Sequence, residues 1–375
     1  MVSLARSILI HEWRRFLPAV LAVAFSGLLV VVQLGLLLGM LGAVSVYIDR
    51  SSADLWVGFP DTQSIDLPRP ISEKIENTLL MNPEITAVER LSWTLGDWRR
   101  PAGGRISAVI IGINLQSNAM TFARLLTPEK KQLLQVPGNL LVDISDLDKL
   151  GVKVGDYTEL NGKRVRVAGT VSGMRSMGGV NIITSLYTAR TLDPALLKNN
   201  LDYFLVKIRN PADAERVRDQ LQPTGENRRF QVWTAQEFSD QSVGYWIFES
   251  GSGSGFLFSS TLGFVVGIVI TSQTLMAAIV AALREYATLR AMGVPTRALR
   301  KVVLEQSFWI GVTGLLLTTL ITLALSAGAQ ALYVSFTLPW PALIFLYGLV
   351  MTITLLSGLM ALRALNRAEP FTLLR

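Results

Sequence analysis

Apolar residues dominate four long runs, Leu17–Val46, Phe256–Leu283, Ser307–Val334 and Ala342–Leu362, and none of these stretches holds an Asp, Glu, Lys or Arg. Each reaches the roughly 20 residues that a helix needs to cross a hydrocarbon core, so four transmembrane helices are predicted. The first follows Arg14 and Arg15 and invites reading as a secretion signal. It is far longer than the roughly 7–15-residue core of such signals, and it is expected to stay as an anchor. Residues 47–255 are mostly polar and form a stretch long enough to bury a core of its own.

That polar stretch changes periodicity along its length. A helix is predicted over Ile71–Leu80 with Ser72 as its cap, then strands over Ala87–Thr94 and Arg105–Ile113, the latter carrying the run Ala108-Val109-Ile110-Ile111. Short glycine-rich strands follow at Asp156–Leu160, Arg164–Val171 and Val180–Thr184. The order then returns to strand (Tyr203–Ile208), helix (Pro211–Leu221, opened by Asn210) and strand (Phe230–Trp233). The fold class expected is therefore a membrane α-helical protein with an extracytoplasmic α/β domain that carries a small β-rich insertion.

The expected domains are an interfacial helix over 1–16, the first span over 17–46, and an extracytoplasmic domain over 47–255. That domain divides into a split α/β part (47–137 and 193–235), a β-insert (138–192) and a return stalk with hinge (236–255). The second span (256–283), a cytoplasmic elbow (284–306), the third span (307–334), the fourth (342–362) and a cytoplasmic tail (363–375) complete the chain. Leu4, Ile8, Trp13 and Phe16 alternate with Arg6, His11, Arg14 and Arg15, which suits an amphipathic interfacial helix or a simple basic flank. Gly251, Gly253 and Gly255 precede the second span and read either as a hinge or as a flexible linker.

Charge orients the chain. The net charge is +7, yet residues 47–255 hold 24 basic and 24 acidic side chains, so the whole excess lies beside the spans. By the positive-inside rule both termini and the loop from Arg284 to Gln306 face the cytoplasm, while Ser335–Pro341 lies outside. A basic excess placed at membrane flanks argues against nucleic acid as a partner.

The search for chemistry excludes more than it finds. No phosphate-binding G-x-x-x-x-G-K-[ST] loop occurs, no cysteine is present, and the single histidine, His11, builds no zinc site or catalytic pair. No carboxylate lies within a span, which removes the usual ion relay of a secondary transporter. The polar residues inside the spans are amides and hydroxyls such as Gln33, Thr271, Ser272, Gln273 and Gln330, and such groups more often bond helix to helix.

The most specific local pattern follows the second span: Leu283-Arg284-Glu285-Tyr286-Ala287-Thr288-Leu289-Arg290-Ala291-Met292-Gly293-Val294-Pro295-Thr296-Arg297-Ala298-Leu299-Arg300. Gly293 suits a helix end and Pro295 a helix start, giving an elbow that presents Leu289, Met292 and Val294 beside Arg290, Arg297 and Arg300. A plain basic flank is the alternative.

This R-E-x-x-x-L-R-A-x-G pattern, with one span before a large external domain and three after it, resembles the permeases of the FtsX/MacB superfamily of ABC transporters. Asp54-Leu55-Trp56-Val57 and the lack of a fused ATPase domain look most like the DevC branch. The resemblance implies a non-catalytic permease of the mechanotransmission type in a bacterial inner membrane. It would pair with a second copy of itself, with two copies of a separate ATPase that carries ATP and Mg, and with a periplasmic adaptor and an outer-membrane tunnel. Cargo would be a glycolipid or another amphiphile, and no cofactor would sit on this chain. By the same resemblance Arg284, Glu285, Leu289, Arg290, Met292, Gly293 and Arg297 would form the ATPase-coupling site. An FtsX-like signalling permease that controls an external hydrolase is the alternative function.

Overall fold

The computed structural model describes residue 9 and residues 11–116, 118–174, 179–193, 200–223, 228–281, 288, 292, 294–331 and 336–367. Two compact units divide the chain, an α/β unit of Met40–Gly253 and a helical unit of Met1–Gly39 with Ser254–Arg375. Helix α1 (Trp13–Asp49) continues through Pro18. Residues 1–8 and 10, the greater part of the predicted interfacial helix, lie outside the described residues.

In the α/β unit the chain forms β1 (Leu55–Gly58), β2 (Ile71–Ser72), α2 (Ile75–Leu80), β3 (Ile85–Arg99), β4 (Arg105–Ile113), α3 (Pro128–Leu134), β5 (Asn139–Asp143) and α4 (Leu147–Leu150). It continues as β6 (Tyr157–Leu160), β7 (Lys163–Val171), β8 (Val180–Ser185), α5 (Leu186–Leu192), β9 (Asn200–Leu201), β10 (Tyr203–Ile208), α6 (Ala214–Leu221), β11 (Gln231–Thr234) and α7 (Ala235–Gly244). Ser72 does not cap a helix. Its hydroxyl accepts from the Lys74 N–H at 3.3 Å, a turn that delays the helix to Ile75 while Ile71 and Ser72 pair with β9.

Nine strands form one sheet in the order β11-β1-β10-β3-β4-β8-β5-β7-β6, and β6 pairs back onto β3. Six strands, β3, β4, β8, β5, β7 and β6, therefore close into a ring. The 15-residue β3 makes this possible, because its first half pairs with β10 and its second half with β4. The strands of 138–192 are thus not a sheet apart from the rest: β8 runs parallel to β4 (Ala108↔Val180), and β6 meets β3 (Arg99↔Glu159).

Burial on both faces accounts for the apolar run in β4. Ala108 and Ile110 point inside the ring with Trp98, Leu140, Val142, Leu160, Val167 and Ile182. Val109 and Ile111 point the other way, into a core with Trp56, Trp93, Leu141, Ile183, Tyr203, Trp233 and Phe238. A strand covered on both sides loses the alternation of apolar and polar residues that a one-sided strand shows.

Two buried carboxylates tie β3 to its surroundings. Glu89 accepts the N–H groups of Met120 and Thr121, and burial raises its pKa. Asp202 accepts the Trp93 N–H at 2.7 Å, and burial pushes its carboxyl from 3.8 up to about 6. The native state then holds a proton that the unfolded chain has released. This stability is complete below about pH 4 and is lost as pH rises through about 6. Asp202→Asn is expected to lessen the dependence of unfolding midpoint on pH between about pH 4 and 6, with Glu89 supplying a remainder of the same sign. Denaturant titrations of the full chain across that window check it.

The helical unit adds α8 (Ser252–Ala281), α9 (Thr296–Ala331) and α10 (Trp340–Arg367) to α1. Among the described residues, four helices are long and apolar enough to cross a membrane. Phe16, Val23, Leu275, Leu299, Val303, Ile310 and Val350 form their shared core. Small residues allow close approach: a Cβ on Gly314 would lie 2.6 Å from Val23, and one on Gly267 would lie 2.8 Å from Ser26. The Ser26 hydroxyl donates to the Gly267 carbonyl at 3.1 Å and lies 3.2 Å from the Thr271 hydroxyl, while Ser272 meets Ser357 at 2.7 Å. Gln33 lies beside Gly263, and Gln273 is exposed. The space lined by Ser26, Gly267, Thr271 and Thr354 amounts to about 10 Å³, room for no more than one water.

Candidate coupling site

Two stretches flank the second span, and each is fixed by its own local chemistry. The first is the return segment, residues 234–251 of the α/β unit. Thr234 and Glu237 form a reciprocal capping box that starts α7: the Thr234 hydroxyl accepts the Glu237 N–H at 3.1 Å, and the Glu237 carboxylate accepts the Thr234 N–H at 3.3 Å. Phe238 then stacks on Trp233 at 4.7 Å and packs beside Trp56 and Tyr203. Polar bonds hold the next two turns. Ile65 N–H donates to the Ser242 hydroxyl at 3.1 Å, Gln241 donates to the Thr62 carbonyl at 2.6 Å, and the Trp246 indole donates to Asp66 at 3.1 Å. Ser239 donates to Asp49 at 3.0 Å, so α7 is also bonded to the last turn of α1.

A single π-turn, Tyr245–Glu249, follows α7. Such turns are uncommon and recur where helices change direction for functional reasons. Gly251 adopts φ +76°, a left-handed conformation that ends the turn. Of the three glycines expected as a hinge or linker, Gly251 precedes α8, whereas Gly253 and Gly255 lie inside its helical backbone. Gly253 is needed for space: a Cβ there would collide with the Ile247 backbone and the Trp246 carbonyl, whereas Gly255 has nothing within 4 Å. Gly253→Ala is expected to lower the thermal midpoint of the full chain. Gly255→Ala is expected to leave it unchanged or raise it, since Ala exceeds Gly in a helix by about 1 kcal/mol.

The second stretch is the elbow. Arg284, Glu285, Leu289, Arg290 and Gly293 lie outside the described residues, so of the predicted coupling set only Met292 and Arg297 are placed. The Met292 N–H donates to the Thr288 carbonyl at 3.0 Å, and the Met292 side chain is exposed. Pro295 immediately precedes α9, and its carbonyl accepts the Ala298 N–H at 2.9 Å. From there the two faces of α9 diverge. Val294, Leu299 and Val303 pack into the core of the helical unit, while Arg297, Arg300 and Lys301 are exposed. Spacings of three and four residues put these cations on one side of the helix. The apolar anchor is absent from the predicted coupling set; its signal in the sequence is the pair Leu299 and Val303, four apart, behind the cations.

Two known families cover most of the chain. Residues 16–224 match the MacB-like periplasmic core domain, and residues 257–370 match the FtsX-like permease C-terminal domain. The chain belongs to the FtsX/MacB superfamily of ABC-transporter permeases. It is a multi-pass membrane protein whose α/β unit is the extracytoplasmic domain, and as a permease it is the non-catalytic membrane subunit of an ABC system.

Solved structures similar to the chain include the periplasmic region of MacB from Actinobacillus actinomycetemcomitans, at 18% identity over 50% of this chain and 92% of that one, with a TM-score of 0.36. The extracellular domain of the noncanonic ABC-type transporter YknZ from Gram-positive bacteria matches at 17% identity over 48% of this chain and 98% of that one, with a TM-score of 0.34. No curated protein matches significantly. The family assignment rests on the two matched domains.

Proposed function

We propose that this permease works in an ABC exporter of the mechanotransmission type. Two copies assemble with two copies of a separate ATPase, and closure of the ATPases around Mg-ATP moves the basic elbow. The return segment relays that movement into the extracytoplasmic domain, which drives an amphiphilic cargo through a periplasmic adaptor and an outer-membrane tunnel. Both termini and the elbow face the cytoplasm of a bacterial inner membrane. Within the superfamily we place the chain in the DevC branch on Asp54-Leu55-Trp56-Val57, the approach to β1 and its first three residues.

One observation carries the coupling role. The start of α9 is held on one side by Leu299 and Val303 in the helical core and shows Arg297, Arg300 and Lys301 on the other. A force applied to those cations would be passed to the bundle, because the buried face has no freedom to slip. The spans carry no charged residue, which supports a cargo route outside the bundle.

The test is co-expression with the ABC ATPase and adaptor of the same system. Both proteins should be retained when the chain is purified, and deletion of the chain should remove an amphiphile from the exterior. Retention of the ATPase with no change in exported lipids, together with loss of an external hydrolase activity, would replace export by signalling.

A further inference from the structure

We infer that the open end of the strand ring is a docking face for an acidic segment of a partner protein. Register puts Arg105, Arg99, Glu159 and Arg164 in one row across β4, β3, β6 and β7. Their strand neighbours Trp98, Leu160 and Val165 fill the interior of the ring, so alternation turns this row outward. Arg166 follows on the same face of β7, opposite Tyr157.

The row is over-supplied with cations. Arg99 pairs with Glu159 at 3.1 Å and Arg105 approaches Asp97 at 3.7 Å, both exposed contacts. Arg164 and Arg166 lie 4.3 and 5.7 Å from the Tyr157 ring, and among the described residues neither they nor Arg100 has an ion pair. Arg99 and Arg105 are directly opposite each other, a like-charge pair that Glu159 and Asp97 offset, so the excess lies in Arg100, Arg164 and Arg166. The surrounding domain is electrically neutral, so this excess is local.

Arg99, Arg100, Tyr157, Glu159 and Arg164 line a concavity of about 520 Å³. Its openness suits an extended segment better than a small molecule, which a site normally encloses. Arg and Tyr are the residue types that anchor protein interfaces, and guanidinium groups match carboxylates in two-point contacts. Glu159 in the lining disfavours a dense polyanion and fits a segment that alternates acidic with neutral side chains. The biological partner rests on the permease reading, but the binding test needs no ATPase, so the two readings succeed or fail separately.

The experiment measures binding of a fluorescent Glu-Ser repeat peptide to the full chain in nanodiscs of zwitterionic lipid. Arg100→Glu/Arg164→Glu is expected to weaken binding about tenfold or more, with Arg100→Gln/Arg164→Gln intermediate. Arg228→Glu/Arg229→Glu makes the same charge change at another exposed pair and should leave binding within about twofold. Unchanged melting of the glutamine variant establishes that the fold is intact. Equal weakening in the two glutamate variants, or no peptide binding at all, would overturn the proposal. Displacement of the peptide by inorganic phosphate or by monomeric short-chain phosphatidylglycerol at matched charge would also overturn it, in favour of a phosphate or lipid site.

Discussion

Arg297→Glu/Arg300→Glu is expected to insert and fold normally and to lose its ATPase. Both side chains are exposed, and surface substitutions of this kind change stability by only about 0.5 kcal/mol or less. Their effect should fall on the partner contact instead. Reversing charges that face a complementary surface replaces attraction by repulsion, which costs several kcal/mol and so about a hundredfold or more in affinity. The check is the amount of cognate ATPase retained on the tagged chain, with thermal unfolding of the same sample as control. Retention of the ATPase at wild-type level would remove the coupling role from this face of α9.

Phe238→Ala should damage the other end of the proposed relay. Phe238 is fully buried among Trp56, Tyr203 and Trp233. Truncating a buried aromatic of this kind costs about 3–5 kcal/mol. That corresponds to a fall in melting midpoint on the order of 10 °C for a domain of this size. Phe248, in the adjacent π-turn, is 76% exposed, and Phe248→Ala should change the midpoint by less than about 2 °C. Tryptophan fluorescence reports the transition directly, since Trp56 and Trp233 belong to the cluster. If Phe238→Ala melted like the wild type, α7 would not be anchored as described.

Most of the architecture is legible along the chain because its signals are local. Four uncharged apolar runs announce the four long helices, and the strands over Tyr203–Ile208 and Arg105–Ile113 fall where periodicity and composition put them. The closed ring is not legible. It depends on Trp98 and Arg99 meeting Leu160 and Glu159 across some sixty residues, and nothing in either segment specifies the other. For the same reason the basic row is invisible in the sequence, where Arg99, Arg105, Arg164 and Arg166 are scattered charges.

The glycines before the second span show a different limit. Composition alone cannot separate a glycine kept for a turn from one kept for close approach. Gly251 is the first kind and Gly253 the second, and only the positions of Trp246 and Ile247 distinguish them. Thr234 and Glu237, by contrast, carried a readable capping-box spacing. In the elbow, the basic pattern is plain in the sequence, and the structure adds the apolar face of Leu299 and Val303 behind Arg297, Arg300 and Lys301.

The proposed coupling requires Arg297 and the strand ring to lie on opposite sides of the membrane, and the absence of cysteine from the chain makes that measurable. Single cysteines at the exposed positions 163 and 297 should react differently with a membrane-impermeant maleimide applied from outside the inner membrane. Position 163 should label in intact spheroplasts, and position 297 only after permeabilisation. Labelling of position 297 from outside would place the elbow beyond the reach of a cytoplasmic ATPase and contradict the coupling mechanism.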